Sequence, residues 1–127
     1  GWTFTFDDAH STLRHYAGME EWIQKDPRMC MMLPVWFPFM ERPPAVVWTY
    51  RHPLEVAKSM NARDGDSLFP VSRGLTLWLQ YTRAGLEASA GLCTVYTSAA
   101  RVFEGARAEI ARIGDELRDV CGFGRGG

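Results

Sequence analysis

Arg51 and Ser59 stand eight residues apart in the run Tyr50-Arg51-His52-Pro53-Leu54-Glu55-Val56-Ala57-Lys58-Ser59. That spacing can build an anion site. Arginine carries a rigid fork of donors that matches phosphate or carboxylate oxygens. Pro53 suits the first position of a helix, because its φ is preset and its missing N–H has no partner to lose there. A helix beginning at Pro53 offers free backbone N–H groups and the positive end of its dipole beside the arginine. Ser59, near the second turn, can add a hydroxyl. A plainer reading of the same residues has Arg51 bonding a neighbouring carbonyl and Ser59 on a solvated helix surface.

Other reactive residues are scattered. Asp7, Asp8 and His10 are close enough to suggest a metal site, but Asp8 is better used as a helix N-cap. Cys30, Cys93 and Cys121 are odd in number and far apart, and no CxxC pair exists. Neither a zinc ribbon nor a dithiol redox site is encoded, and reduced thiols are expected rather than a disulfide framework. The glycine-rich end, residues 122–127, has no strand before it and no helix after it, so it is a poor phosphate loop and is expected to fray.

The elements that must position Arg51 and Ser59 can be read from pattern. Ala45–Tyr50 is a compact β-branched and aromatic run without alternation, which predicts a parallel strand buried on both faces. It delivers Arg51 to the carboxyl edge of a sheet, where ligands of open α/β sheets bind. The helix from Pro53 should run to Asn61 or Ala62, with Asp64-Gly65-Asp66 as the turn. A further helix covers about Ser72 to Ala88, with Leu75, Trp78, Leu79 and Leu86 as its buried stripe. Leu92–Tyr96 is a second buried-type strand. The last helix carries Phe103, Ala106, Ile110, Ile113, Leu117 and Val120 at spacings of three and four, a stripe expected to pack on the sheet.

Upstream, Asp8–Tyr16 reads as a short helix stopped by Gly18, and Glu20–Gln24 as a short strand ended by Pro27. Met29–Met40 is apolar but holds Pro34 and Pro38, so a broken helix is expected. Glu41-Arg42-Pro43-Pro44 is a loop. Strands alternating with helices imply an α/β layered architecture with a parallel sheet. Two or three strands are few for such a sheet, which suggests that part of it lies outside this chain.

Composition sets bounds on function. The 127 residues, 46% of them hydrophobic and 23% charged, describe one folded domain rather than a disordered chain. A net charge of −1 gives no field for indiscriminate nucleic-acid or membrane binding. Of the 14 basic residues only Lys25 and Lys58 are lysines, a bias toward the residue suited to forked anion recognition. No apolar run approaches the roughly 20 residues of a membrane span, and Gly1–Asp8 lacks the pattern of a signal peptide. A cytoplasmic location is the expectation. The chain begins at Gly1 without a methionine, and is read as a piece of a longer protein.

Taken in order, three motifs resemble one family. The run from Tyr50 to Ser59 is similar to the 3′-phosphate motif of sulfotransferases that use 3′-phosphoadenosine-5′-phosphosulfate (PAPS), where an arginine ends a strand, proline follows two residues later and serine eight. Lys25-Asp26-Pro27-Arg28, followed by Leu33-Pro34 and Trp36, resembles the "KDPR…LP.W" segment of the family's bacterial-type branch. Asn61-Ala62-Arg63-Asp64-Gly65 and Arg73-Gly74-Leu75 through Leu77-Trp78-Leu79, with Tyr81 and Arg83, resemble that branch's next helix. The similarity covers roughly Trp22 to Leu92.

The resemblance implies a partial three-layer, parallel-sheet fold of the P-loop-NTPase-like kind. It implies that Arg51 and Ser59 bind the 3′-phosphate of PAPS as co-substrate, with no metal. It puts Lys25 near the transferring sulfuryl group, stabilising charge on its oxygens. Cytosolic members carry a histidine shortly after that lysine; here Asp26-Pro27-Arg28 follows, leaving Asp26 as the candidate base, with His10 and His15 behind it. The family's 5′-phosphosulfate loop, with a "PRSGTS"-like sequence, has no counterpart here. Val95-Tyr96 matches the family's "V.YEDL" strand end, but Thr97-Ser98-Ala99 replaces its acidic pair. The expectation is therefore the 3′-phosphate-binding half of a sulfotransferase, inactive as this chain alone, acting with a nucleotide co-substrate and an acceptor hydroxyl or amine. The alternatives are a non-catalytic phosphoadenosine-binding or interaction remnant, and a nucleotide kinase-like phosphotransfer fragment.

Overall fold

The computed structural model describes residues 11, 14–16, 19 and 22–123. In chain order these residues form helix α1 (Met29–Trp36), a 3₁₀ turn (Phe37–Phe39), strand β1 (Val46–Tyr50), helix α2 (Pro53–Asp64), helix α3 (Val71–Ser89), strand β2 (Thr94–Ser98) and helix α4 (Ala99–Asp119). The architecture is mixed α/β. Among the described residues no helix is long and apolar enough to cross a membrane.

β1 and β2 pair in parallel, from Val46 opposite Thr94 to Tyr50 opposite Ser98. Parallel partners need a crossover, and α2 with α3 provides it. Because side chains alternate along a strand, Val46, Trp48 and Tyr50 share one face and Val47 and Thr49 the other. The first face meets α3: a Cβ at Gly85 would sit 2.3 Å from the Trp48 ring, and Tyr50 packs edge-on to Trp78. The second face meets α4, where Val95 is buried and Thr97 bonds Glu109. A separate cluster forms around the buried Trp36, with Met29, Met32, Phe39 and Met40 packed against it.

Met29–Met40 divides as its prolines predict, the α-helix ending at Trp36 and Pro38 falling in the 3₁₀ turn. Other expectations need correction. β1 is not buried on both faces: Val47, on the α4 side, is 41% exposed because α4 rests mainly on β2, and Tyr50, at the strand's end on the α3 side, is 43% exposed. The second strand starts two residues later than expected, since Leu92 still closes the end of α3 through its N–H to the Ser89 carbonyl at 3.0 Å. Residues 22–26 form no strand, and Glu20 lies outside the described residues. Residues 14–16 are helical, whereas the expected cap Asp8 and stop Gly18 also lie outside them.

The two apolar stripes also face differently from expectation. Leu75, Leu79 and Leu86 of α3 are exposed, and its packing face is built from Gly74 and Gly85. Their missing Cβ atoms allow close backbone approach: a Cβ at Gly74 would lie 2.7 Å from the Ala57 Cα on α2. On α4, Phe103 and Ile110 are exposed, as is Val120 just past its end, while the buried position is Glu109. A polar network sets that rotation. Glu109 Oε1 accepts from Thr97 Oγ1 at 2.7 Å, and Arg112 bonds Glu109, Glu116 and the Tyr96 carbonyl.

The expectation of reduced thiols is overturned for two cysteines. Cys93 and Cys121 form a disulfide, with Cα atoms 5.7 Å apart. Cys93 immediately precedes β2 and Cys121 follows α4, and a strand followed by a helix that doubles back brings those ends together. Cys30 remains free and half-buried, with its thiol pushed up by burial. Past the disulfide, Gly122 adopts φ +75°, the left-handed conformation, and Phe123 N–H reaches the Leu117 carbonyl at 2.8 Å. Residues 124–127, most of the tail expected to fray, lie outside the described residues.

The Glu109 network carries a pH prediction. Hydrogen bonds from Arg112, then from Thr97, bring the Glu109 carboxyl from 4.5 down to about 2. A folded pKa below the unfolded value gives stability that is present above 4.5 and is lost as pH falls toward 2. Glu109→Gln is therefore expected to flatten the acid limb of urea-unfolding stability across that window. Wild type and variant losing stability in parallel between pH 5 and pH 2 would contradict it.

Candidate functional site

Arg51 and Ala99 leave the sheet side by side, because Tyr50 and Ser98 are in register at the ends of β1 and β2. Each strand turns at once into a helix. His52 caps α2, its Nδ1 accepting from Leu54 N–H at 3.2 Å, and Pro53 takes the first position as expected. Ser98 caps α4, its Oγ accepting from Arg101 N–H at 3.2 Å. The carboxyl edge thus carries two neighbouring helix N-termini, both with the positive ends of their dipoles toward the same space.

That space is an open cleft of about 510 Å³. Arg51, Glu55, Lys58 and Ser59 form one wall; Ala99, Ala100 and Phe103 form the other. Arg51 and Ser59, named as the candidate anion site in the sequence analysis, line the same cleft. Lys58 was not assigned a site role from the sequence. Its signal was available: Glu55, Lys58 and Ser59 are related by three and four residues, hence share one helix face. Two cations and one carboxylate, with two dipole ends, make the cleft electropositive.

Arg51 is held by its backbone and only loosely engaged at its side chain. Its carbonyl accepts from Trp78 Nε1 at 3.0 Å, which ties the end of β1 to α3. Its guanidinium Nε lies 3.8 Å from Glu55 Oε2, an ion pair too long for a hydrogen bond, and the side chain is half-exposed. Exposed pairs of this kind contribute little to stability, so an incoming phosphate can displace Glu55 without a large penalty.

Lys25 and Asp26 do not line this cleft. They lie in the irregular segment before α1, which packs beside α3: the Cys30 Cβ would be 3.0 Å from a Cβ at Gly85. Lys25 is exposed. Asp26 is engaged by Arg28 on both carboxylate oxygens, at 3.0 Å from Nε and 2.9 Å from Nη2, with the Arg28 N–H at 2.8 Å. These hydrogen bonds hold its carboxyl at about 2, which makes it a weak base and a builder of the turn into α1. His15 is exposed and meets Tyr16 edge-on, whereas Asp7, Asp8 and His10 lie outside the described residues. Among the described residues no group of three or more His, Cys, Asp or Glu gathers in a way that could hold a metal ion. In comparisons with known proteins, the chain matches no family model, no curated protein and no solved structure.

Proposed function

We propose that the cleft binds the 3′-phosphate of a phosphoadenosine nucleotide, and that the chain is the 3′-phosphate-binding half of a PAPS-dependent sulfotransferase. The observation that carries this reading is the convergence of Arg51 and Ser59 on one electropositive cleft at the carboxyl edge of a parallel sheet. On this reading the sheet, with α3 on one face and α4 on the other, is a two-strand portion of a three-layer P-loop-like fold. Arg51 supplies the fork to the phosphate, Ser59 a hydroxyl, and Lys58 a further positive charge.

In sulfuryl transfer an acceptor oxygen or nitrogen attacks sulfur in line, the bond from sulfur to the bridging phosphate oxygen breaks, and 3′,5′-ADP leaves. Lys25 is the proposed stabiliser of charge on the transferring group. Asp26, weakened as a base by Arg28, is proposed to hold the turn that carries Lys25. That weakening favours a second reading, in which the chain binds phosphoadenosine without turning it over.

Both readings are tested by binding. Calorimetric titration is expected to show a preference for 3′,5′-ADP over 5′-AMP, and Arg51→Ala is expected to remove about 1.5–3 kcal/mol of it, on the order of 10- to 150-fold. Equal affinity for the two nucleotides, or an unchanged preference in Arg51→Ala, overturns the phosphate site.

A further inference from the structure

We infer that Trp78 is a positioning residue for the anion site: its indole N–H, acting through the Arg51 carbonyl, sets the direction from which the guanidinium enters the cleft. The inference rests on the phosphate reading of the cleft and adds a residue that does not itself line it.

Arg51 stands at the least constrained point of the site's framework. β1 ends at Tyr50 and α2 begins at Pro53, so Arg51 and His52 form a two-residue junction outside both elements. Rotation at that junction would turn Arg51 relative to α2, which carries Lys58 and Ser59 on the same cleft wall. The Arg51 side chain supplies little restraint of its own, being half-exposed and 3.8 Å from Glu55. The restraint comes from another element. Trp78 Nε1 donates to the Arg51 carbonyl at 3.0 Å, across 27 residues of sequence. An indole nitrogen is a donor only, so a backbone oxygen suits it. Bonding that oxygen to α3 restricts ψ at Arg51, and with it the angle between strand and helix.

The donor is itself rigidly held. Gly74, Trp78 and Gly85 share one face of α3, because spacings of four and seven return to the same side of a helix. Gly74 lies against Ala57 of α2 and Gly85 against the Trp48 ring of β1, each so closely that a Cβ would collide. Trp78 sits between these two contacts, half-buried, with the Tyr50 ring edge-on to it at 6.1 Å. Tyr50 immediately precedes Arg51, so the indole meets both a side chain and a carbonyl at the strand's end. A binding group works only when held within about 0.5 Å of its productive position, and packing and hydrogen bonds from residues behind it do the holding.

Two substitutions separate the N–H from the bulk of the indole. Trp78→His keeps a donor, because the five-membered ring of histidine places Nε2 where indole carries Nε1, but it removes the six-membered ring. Trp78→Phe keeps a six-membered ring and has no donor. Each is titrated with 3′,5′-ADP and with 5′-AMP by calorimetry, beside wild type, Arg51→Ala and the double variant combining Arg51→Ala with Trp78→Phe; urea unfolding checks that each is folded. Trp78→Phe is expected to weaken 3′,5′-ADP by roughly 2- to 10-fold, the value of one hydrogen bond, and to leave 5′-AMP unchanged. Trp78→His should retain the wild-type preference, and Trp78→Phe should cost nothing further once Arg51 is alanine. Equal weakening of both nucleotides in Trp78→Phe, an unchanged 3′,5′-ADP affinity in that variant, or loss of the preference in Trp78→His overturns the inference while the Arg51-dependent phosphate site stands. Absence of any preference in wild type overturns the phosphate reading, and this inference with it.

Discussion

Protein in which Cys93 and Cys121 are both replaced by serine is expected to be about 3–4 kcal/mol less stable than oxidised wild type. The bridge spans 28 residues, and closing a loop of that length removes chain entropy from the unfolded state on this scale. The folded side of the balance makes the bridge matter more. α4 presents Glu109 to the sheet and leaves Phe103, Ile110 and Val120 exposed, and with Val102, Ile113 and Leu117 only partly buried no fully buried apolar side chain of its own holds it on β2. Its anchors are the Thr97–Glu109–Arg112 network at mid-helix and the disulfide at its end. For a domain of this size the loss corresponds to a melting temperature lower by roughly 10 °C or more. Wild type treated with dithiothreitol should melt with the double variant, and both should melt below untreated wild type. A melting temperature unchanged by reduction would show that α4 is held without the bridge. The ends of this unit could not be paired from sequence, because spacing says nothing about which cysteines meet. The meeting follows from the strand and helix doubling back on each other.

The parts of the fold that were legible are those fixed by local chemistry. Pro53 after a compact apolar run predicts a strand, an arginine and a helix start, and β1, Arg51 and α2 follow in that order. The expected Ser72–Ala88 helix differs from α3 by one residue at each end. The convergence of Arg51 and Ser59 follows from the same local logic, since a strand end and two turns of the following helix face one edge.

The illegible parts are those decided by a distant neighbour. Periodicity identifies an apolar stripe but not what it meets. On α3 the sheet and α2 are met by glycines, whose contribution is the absence of a side chain and leaves no hydrophobic signal. On α4 a carboxylate wins the inward position, because its partners, Thr97 at 12 residues away and Arg112 one turn on, satisfy it there. β1 looks doubly buried by composition, yet exposure depends on how far α4 extends across the sheet. Asp26 is a further case: a carboxylate near a lysine suggests a base, but Arg28 two residues on captures both its oxygens.

Gly85→Ala is expected to destabilise the protein by about 2–4 kcal/mol, although alanine is the better helix former by about 1 kcal/mol. The added Cβ would sit 2.3 Å from two carbons of the Trp48 ring and 3.0 Å from the Cys30 Cβ. Carbon atoms pack at roughly 3.5–4.0 Å, so the overlap with the ring exceeds 1 Å and small adjustments cannot relieve it. α1 holds Cys30 on one side and β1 carries Trp48 on the other, so moving α3 away opens both contacts at once. The ring must instead leave its place, and displacing a large aromatic from a packed site costs on the order of 3–5 kcal/mol, as truncation does. The helix gain offsets about 1 kcal/mol of that. Adding Trp48→Phe removes the outer ring carbons that collide, so the double variant should recover part of the loss, giving a favourable coupling energy in a double-mutant cycle. Urea unfolding of the four proteins measures it. A stability gain of about 1 kcal/mol in Gly85→Ala alone, the value for helix propensity without a clash, would mean that α3 does not press on Trp48. The contact also bears on the cleft. Trp48 lies three residues before Arg51 on the strand that delivers it, so close packing at Gly85 fixes β1 against α3 at one point and the Trp78 bond to the Arg51 carbonyl fixes it at another.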